Sequence, residues 1–154
     1  MTENVFVYGT LLKGQANHHL LRGARFLGSG RAEGLALYAV TSYYPGAVPE
    51  DGGVVLGEVY AVTTGLLSLL DDLEDNGKLY RREKRCVFLE DGTVTEAWVY
   101  IWCRQVQPEQ KIPLSAQPWR SGCRGTAQSE KKVKEQSCLA GETLSGKTDA
   151  NATG

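Results

Sequence analysis

The sequence predicts an α+β protein: residues 1–119 form a small mixed β-barrel with one or two flanking helices, and residues 120–154 a disordered tail. Three observations predict it. Short runs of β-branched and aromatic residues outnumber helical periods, and they lack the regular alternation of βαβ units. A single leucine stripe at helical spacing stands out. The composition also changes abruptly near Trp119.

Taken in chain order, Val5-Phe6-Val7-Tyr8 is a short apolar run stopped by Gly9, and it reads as a buried strand. Asn17–Leu21 is a candidate short helix with Asn17 as its cap. Ala36–Val40 is a second strand, followed by a Pro/Gly loop at Tyr43-Tyr44-Pro45-Gly46, and Val54–Val62 is a third. The leucine stripe follows. Thr64 is placed to cap a helix in which Leu66, Leu69, Leu70 and Leu73 fall at i, i+3, i+4 and i+7, with Asn76-Gly77 as the stop. Arg85–Leu89 and Val94–Cys103 flank Glu90-Asp91-Gly92-Thr93, and Asp-Gly between such runs is a strong hairpin signal. In the second arm Ala97, Val99 and Ile101 share one face and Trp98, Tyr100 and Trp102 the other, so both faces are expected to be covered.

After Trp119 the pattern stops. From Ser121 to Gly154 there is no aromatic residue, and Val133, Leu139 and Leu144 are the only branched aliphatics. Such a stretch cannot bury enough apolar surface to offset the entropy of ordering, hence the expected tail.

Composition excludes several function classes. A formal net charge of -1 offers no electrostatic attraction for nucleic acid or an acidic membrane. No apolar run approaches the roughly 20 residues that span a bilayer, and the first residues lack a secretory pattern. Cys86, Cys103, Cys123 and Cys138 show no metal-ligand spacing, so they read as free thiols in a reducing cytoplasm. Neither a metal nor a cofactor is expected, and the sequence leaves oligomeric state open.

Two places carry chemistry. On the helix, roughly 100° per residue turns Asp71, Asp72 and Asp75 toward solvent. Glu74 follows Leu70 by four residues and Leu67 by seven, so it lies on the flank of the stripe and aims partly inward. Burial, the negative helix end and neighbouring aspartates would each raise its pKa and make it a better base near neutrality. Geometry alone equally allows a solvated helix-end carboxylate. The second place is Tyr8-Gly9-Thr10-Leu11, where Gly9 permits a sharp turn and close approach of a ligand. Successive N–H groups there can form a nest for a carboxylate or oxyanion, and the bland alternative is a simple turn. Tyr80 either reaches back over the helix end or packs there. His18 and His19 are adjacent and cannot face one ligand on a helix.

In order and spacing these segments resemble a known family. Val5-Phe6-Val7-Tyr8-Gly9-Thr10-Leu11, then Gly14-Gln15-x-Asn17-His18, Gly57-Glu58-Val59-Tyr60, Leu70-Asp71-Asp72-Leu73-Glu74 and Leu79-Tyr80 are similar to the gamma-glutamyl cyclotransferase-like superfamily. The gamma-glutamylamine cyclotransferase branch is the nearest characterised group. Tyr44-Pro45-Gly46-Ala47-Val48-Pro49 looks like the corresponding loop of bacterial members. The resemblance spans roughly Val5 to Trp102 and implies a cytoplasmic enzyme that closes a small gamma-glutamyl substrate to 5-oxoproline. It implies that Tyr8, Gly9, Thr10 and Leu11 bind the glutamyl end, with Tyr80 as a further substrate-binding candidate, and that the family's essential glutamate falls on Glu74. Many members carry Ser where Thr10 stands, and the amine-specific branch uses Thr. A non-catalytic gamma-glutamyl-binding module and a gamma-glutamyl hydrolase or transferase on the same pocket remain alternatives.

The tail reading predicts that limited proteolysis trims the chain to near Trp119 with activity and thermal midpoint essentially unchanged. A large drop in midpoint on truncation would contradict it.

Overall fold

The computed structural model describes residues 1–121, so all but the first two residues of the expected tail lie outside the described residues. The regular elements are β1 (Thr2–Val7), β2 (Arg25–Tyr38), β3 (Gly46–Thr63), α1 (Thr64–Leu73), β4 (Tyr80–Leu89) and β5 (Val94–Trp102). Antiparallel neighbours run in the order β1-β3-β2-β4-β5. β5 then returns to β1 in parallel, with Val5 opposite Trp98 and Phe6 opposite Val99, and this closes the barrel. No helix among the described residues is long and apolar enough to cross a membrane.

Each element has a local cause. Val5, Phe6 and Val7 are consecutive and buried, as expected of a strand covered on both faces. The Asp91-Gly92 turn forms as its sequence predicts: Gly92 sits at φ 91°, and the Leu89 N–H donates to the Thr93 carbonyl at 2.8 Å. In β5, Ala97, Val99 and Ile101 fill the core while Tyr100 is buried on the opposite face. Phe6, Leu35, Leu37, Val55, Val59 and Val87 complete the centre of that core. The chain after β5 folds back over the barrel, where the Ile112 N–H donates to Leu37 O at 2.8 Å and Trp119 is buried as the last core residue.

The structure corrects several boundaries. β2 and β3 are 14 and 18 residues long, far beyond the expected Ala36–Val40 and Val54–Val62. Their missing halves are rich in Gly and charge, and Pro49 and Gly52-Gly53 lie within β3. Propensity discounts such residues, yet a long paired partner holds most of them in register, with bulges at Phe26/Gly28 and at Glu33/Leu35, where residues 50–53 of β3 have no partner in β2. β4 starts at Tyr80, five residues before the expected Arg85, because it is paired from Tyr80↔Trp102 onward. The helix is capped by Thr63, not Thr64: the Thr63 hydroxyl accepts the Leu66 N–H at 3.1 Å. The expected second helix is one 3-10 turn, His18–Leu21, and Asn17 caps nothing with its side chain.

The most consequential correction concerns the face of α1. Leu67 and Leu70 are the buried leucines, whereas Leu69 and Leu73 are 62% and 41% exposed. The buried axis therefore runs through Leu67 and Leu70, rotated from the expected stripe of Leu66, Leu69, Leu70 and Leu73. One turn further along that axis lies Glu74.

Gly57 shows how tightly the barrel is wound. A Cβ there would lie 2.3 Å from the Val7 carbonyl oxygen and 2.7 Å from the Phe6 ring. Gly57→Ala is therefore expected to destabilise the protein by about 1–3 kcal/mol. Gly65→Ala, in the open first turn of α1, should be neutral to stabilising by up to about 1 kcal/mol. Urea midpoints of the two variants check the pair, and equal midpoints would contradict the packing at Gly57.

Candidate active site

A cavity of about 210 Å³ opens between the end of β1, the loop after it, the Tyr44-Pro45 segment and the end of α1. Its lining includes Tyr8, Gly9, Thr10, Leu11, Glu74 and Tyr80, so the structure brings together the catalytic candidate and the five substrate-binding candidates. Phe6, Asn17, Tyr44, Leu73, Leu79 and Tyr100 also contribute. Glu74 is the sole acidic or basic side chain in that lining.

Tyr8 anchors the loop side. Its hydroxyl donates to the Tyr100 carbonyl at 2.7 Å and accepts the Ala47 N–H at 3.1 Å, which ties β1 to β5 and β3. The chain then turns, with the Leu12 N–H on the Gly9 carbonyl at 3.0 Å. Three bonds set the loop: Asn17 N–H to Thr10 O at 2.8 Å, Asn17 Nδ2 to Thr10 Oγ1 at 3.0 Å, and His18 Nδ1 to Leu11 O at 2.9 Å. A carbonyl only accepts, so His18 carries its proton on Nδ1. The N–H groups of Gly9, Thr10 and Leu11 find no acceptor among the described residues.

Gly9 has a different reason from the one expected. A Cβ on it would lie 2.9 Å from Cγ and Cδ of Pro45, so the missing side chain makes room for that ring. Gly9 thus seats the Tyr44-Pro45 segment against the loop, and its φ is not in the left-handed region.

Glu74 faces this loop from the other wall. It is the residue that ends α1, its N–H donating to Leu70 O at 2.9 Å. Its carboxylate has no hydrogen-bond or ion-pair partner among the described residues. Burial pushes its pKa up to about 7. Desolvation is the cause, and neither the helix end nor the neighbouring aspartates is needed.

Three phenols surround that carboxylate, and each is committed elsewhere. Tyr8 binds the Tyr100 carbonyl, Tyr80 donates to Pro45 O at 2.7 Å, and Tyr100 donates to Asp71 Oδ1 at 2.7 Å. Burial raises all three phenol pKa values, and the Glu74 charge raises them further. They stay neutral at physiological pH and form an uncharged wall.

Asp71 departs from expectation. Far from pointing into solvent, it accepts Arg82 Nε at 2.9 Å and Arg82 Nη2 at 3.2 Å, together with the Tyr100 hydroxyl. The shifted buried axis explains this, since Asp71 follows Leu67 by one turn. Asp72 and Asp75 are exposed as expected.

Sequence reasoning missed Asn17, Tyr44, Leu79 and Tyr100 as cavity residues. Asn17 was read as a cap, although an amide seven residues from Thr10 is well suited to bracing a turn. Tyr100 was read only as one face of β5. His18 braces the loop from behind and lies outside the cavity lining.

Comparison with known proteins agrees with this geometry. The family model described as gamma-glutamyl cyclotransferase, AIG2-like, matches residues 5–121. A gamma-glutamylcyclotransferase family protein of Escherichia coli K12 is 37% identical over 102 residues, covering 66% of this chain and 84% of that protein. The human gamma-glutamylaminecyclotransferase is 42% identical over 97 residues, covering 56% of this chain and 63% of its own. An AIG2-like protein from Mus musculus superposes with a TM-score of 0.62 at 32% identity, over 71% of this chain and 82% of the mouse chain. With a family model that takes in both walls of the cavity, the chain belongs to the gamma-glutamyl cyclotransferase, AIG2-like family.

Proposed function

We propose that the chain cyclises a gamma-glutamyl amine or peptide to 5-oxoproline and releases the free amine. The observation that carries this reading is Glu74: a partly buried, unpaired carboxylate in a cavity whose other lining side chains are uncharged. The missing counter-charge fits the α-ammonium of a gamma-glutamyl group.

The substrate carries its own nucleophile, so the reaction needs the substrate folded with its α-nitrogen close to its γ-carbonyl. Glu74 takes a proton from the α-ammonium. The amine then attacks the γ-carbonyl carbon, forming the ring C–N bond and placing the electron pair on oxygen. The free N–H groups of Gly9, Thr10 and Leu11 are candidates to stabilise that oxyanion or to hold the α-carboxylate. Protonated Glu74 gives its proton to the leaving nitrogen, and the carbonyl re-forms as the bond to that nitrogen breaks. The second proton on the ring nitrogen passes through Glu74 to the departing amine, leaving a neutral lactam N–H. A pKa of about 7 suits these transfers, because the group is poised between its two forms near neutrality.

Incubation with gamma-glutamyl amines and gamma-glutamyl peptides tests the reading. 5-Oxoproline is the expected product; free glutamate would indicate hydrolysis, and no turnover across both classes would favour a binding module. Glu74→Gln keeps the shape and removes the base, so cyclisation should fall by about 10²–10⁴-fold with the fold intact by circular dichroism. Asp72→Asn, exposed on the far side of α1, should leave the rate within about twofold, as surface substitutions away from a site usually do. Near wild-type cyclisation by Glu74→Gln would remove Glu74 as the base.

A further inference from the structure

We infer that Asp71 is a positioning residue for Glu74, acting with Arg82 and Tyr100 to hold the last turn of α1 against β4 and β5. The inference rests on the proposed role of Glu74 in proton transfer.

The helix end needs an external hold. α1 has ten residues and no basic residue in its last turn to bind the carbonyls there. Asp75, just beyond Glu74, adopts the left-handed conformation at φ 53°, unfavourable for a residue with a Cβ. An isolated helix of this length is marginal in water. Its last turn would fray, and Glu74 with it.

Asp71 supplies the hold one turn before Glu74. Arg82 of β4 grips both of its oxygens, a bidentate geometry that fixes orientation as well as distance. The Tyr100 hydroxyl of β5 shares Oδ1, and the Arg82 guanidinium stacks 4.1 Å from the Trp98 ring. The backbone repeats the attachment: Asn76 N–H donates to Asp71 O at 2.9 Å, and Arg82 N–H donates to Asn76 Oδ1 at 3.0 Å. Glu74 is thus bracketed on both sides by residues tied to β4. Asp71 and Arg82 are both about one-fifth exposed, so the pair is partly desolvated rather than a loose surface contact.

Tyr100 connects this clamp to the cavity. Its ring lines the cavity, its hydroxyl reads Asp71, and its carbonyl receives the Tyr8 hydroxyl. The charge of Glu74 acts on that phenol alongside those of Asp71 and Arg82. A shift of the helix end would therefore move the carboxylate relative to the loop that faces it. The loop has its own braces, so substrate binding through Gly9–Leu11 should be less affected than proton transfer.

A double-mutant cycle on the full chain tests this. Asp71→Asn is expected to lower kcat by about 10–10²-fold, the scale of a small misplacement of a catalytic group, while KM changes by less than about threefold. Measurement at a temperature where circular dichroism shows full folding separates this from instability. If Asp71 acts through Glu74, Asp71→Asn should cost less than about twofold further in the Glu74→Gln background, because effects of residues acting as a unit are not additive. Tyr100→Phe leaves the ion pair in place and should show a smaller loss that also vanishes in that background. Should Asp71→Asn fail to fold, Tyr100→Phe alone decides. Full activity of the variants, or equal fold-losses in both backgrounds, would overturn the inference. A Glu74→Gln enzyme at wild-type rate would instead remove the underlying reading.

Discussion

An unpaired carboxylate at the end of a short helix is an unfavourable thing to bury, and much of the site's architecture works to hold one there. Glu74 is partly withdrawn from water without a compensating partner. Its ordinary pKa of 4.5 rises to about 7, so the folded state binds a proton that the unfolded chain has released between those values. Stability from this group is complete below pH 4.5 and is lost as pH rises through about 7, on the order of 3 kcal/mol in all. The fold must offset that loss elsewhere. What the loss provides is a group poised to take and return a proton near neutrality.

Barrel closure supplies the offset and the placement together. The parallel return of β5 onto β1 brings Tyr100 beside Tyr8, and the hydroxyl-to-carbonyl bond between them locks the start of the loop. Gly9 then lets Pro45 approach, and Pro45 O in turn receives the Tyr80 hydroxyl. A chain of neutral phenols and backbone groups therefore lines the cavity without introducing a cation that would pair with Glu74 and depress its pKa. Arg82, whose partner Asp71 also binds the Tyr100 hydroxyl, is held in an ion pair outside the cavity lining.

Much of this was legible in the sequence, for reasons that can be traced to particular residues. β1 was readable because a strand covered on both faces has an uninterrupted apolar run, and Asp91-Gly92 was readable because its turn chemistry is local. Glu74 was readable because helical periodicity ties it to Leu67 and Leu70. The long arms of β2 and β3 were not, since Gly28, Gly30 and Pro49 are held by a partner strand rather than by propensity. Asp71 was misread for a related reason. A helix with five leucines does not say which of them face the barrel, and a stripe drawn through Leu66 instead of Leu67 rotates the helix enough to turn a clamped carboxylate into a solvated one. The loop residues behind the cavity, Asn17 and His18, act through contacts seven residues apart that no periodic pattern encodes.

The account stands most directly on the ionisation of one side chain. Carbon-13 NMR titration of the protein labelled at glutamate side chains, with the Glu74 signal assigned by its loss in Glu74→Gln, measures that ionisation without any substrate. The account predicts a midpoint of about 7 for Glu74, raised from the ordinary 4.5. A Glu74 midpoint in that ordinary range would mean the carboxylate is solvated or paired, and would contradict the account.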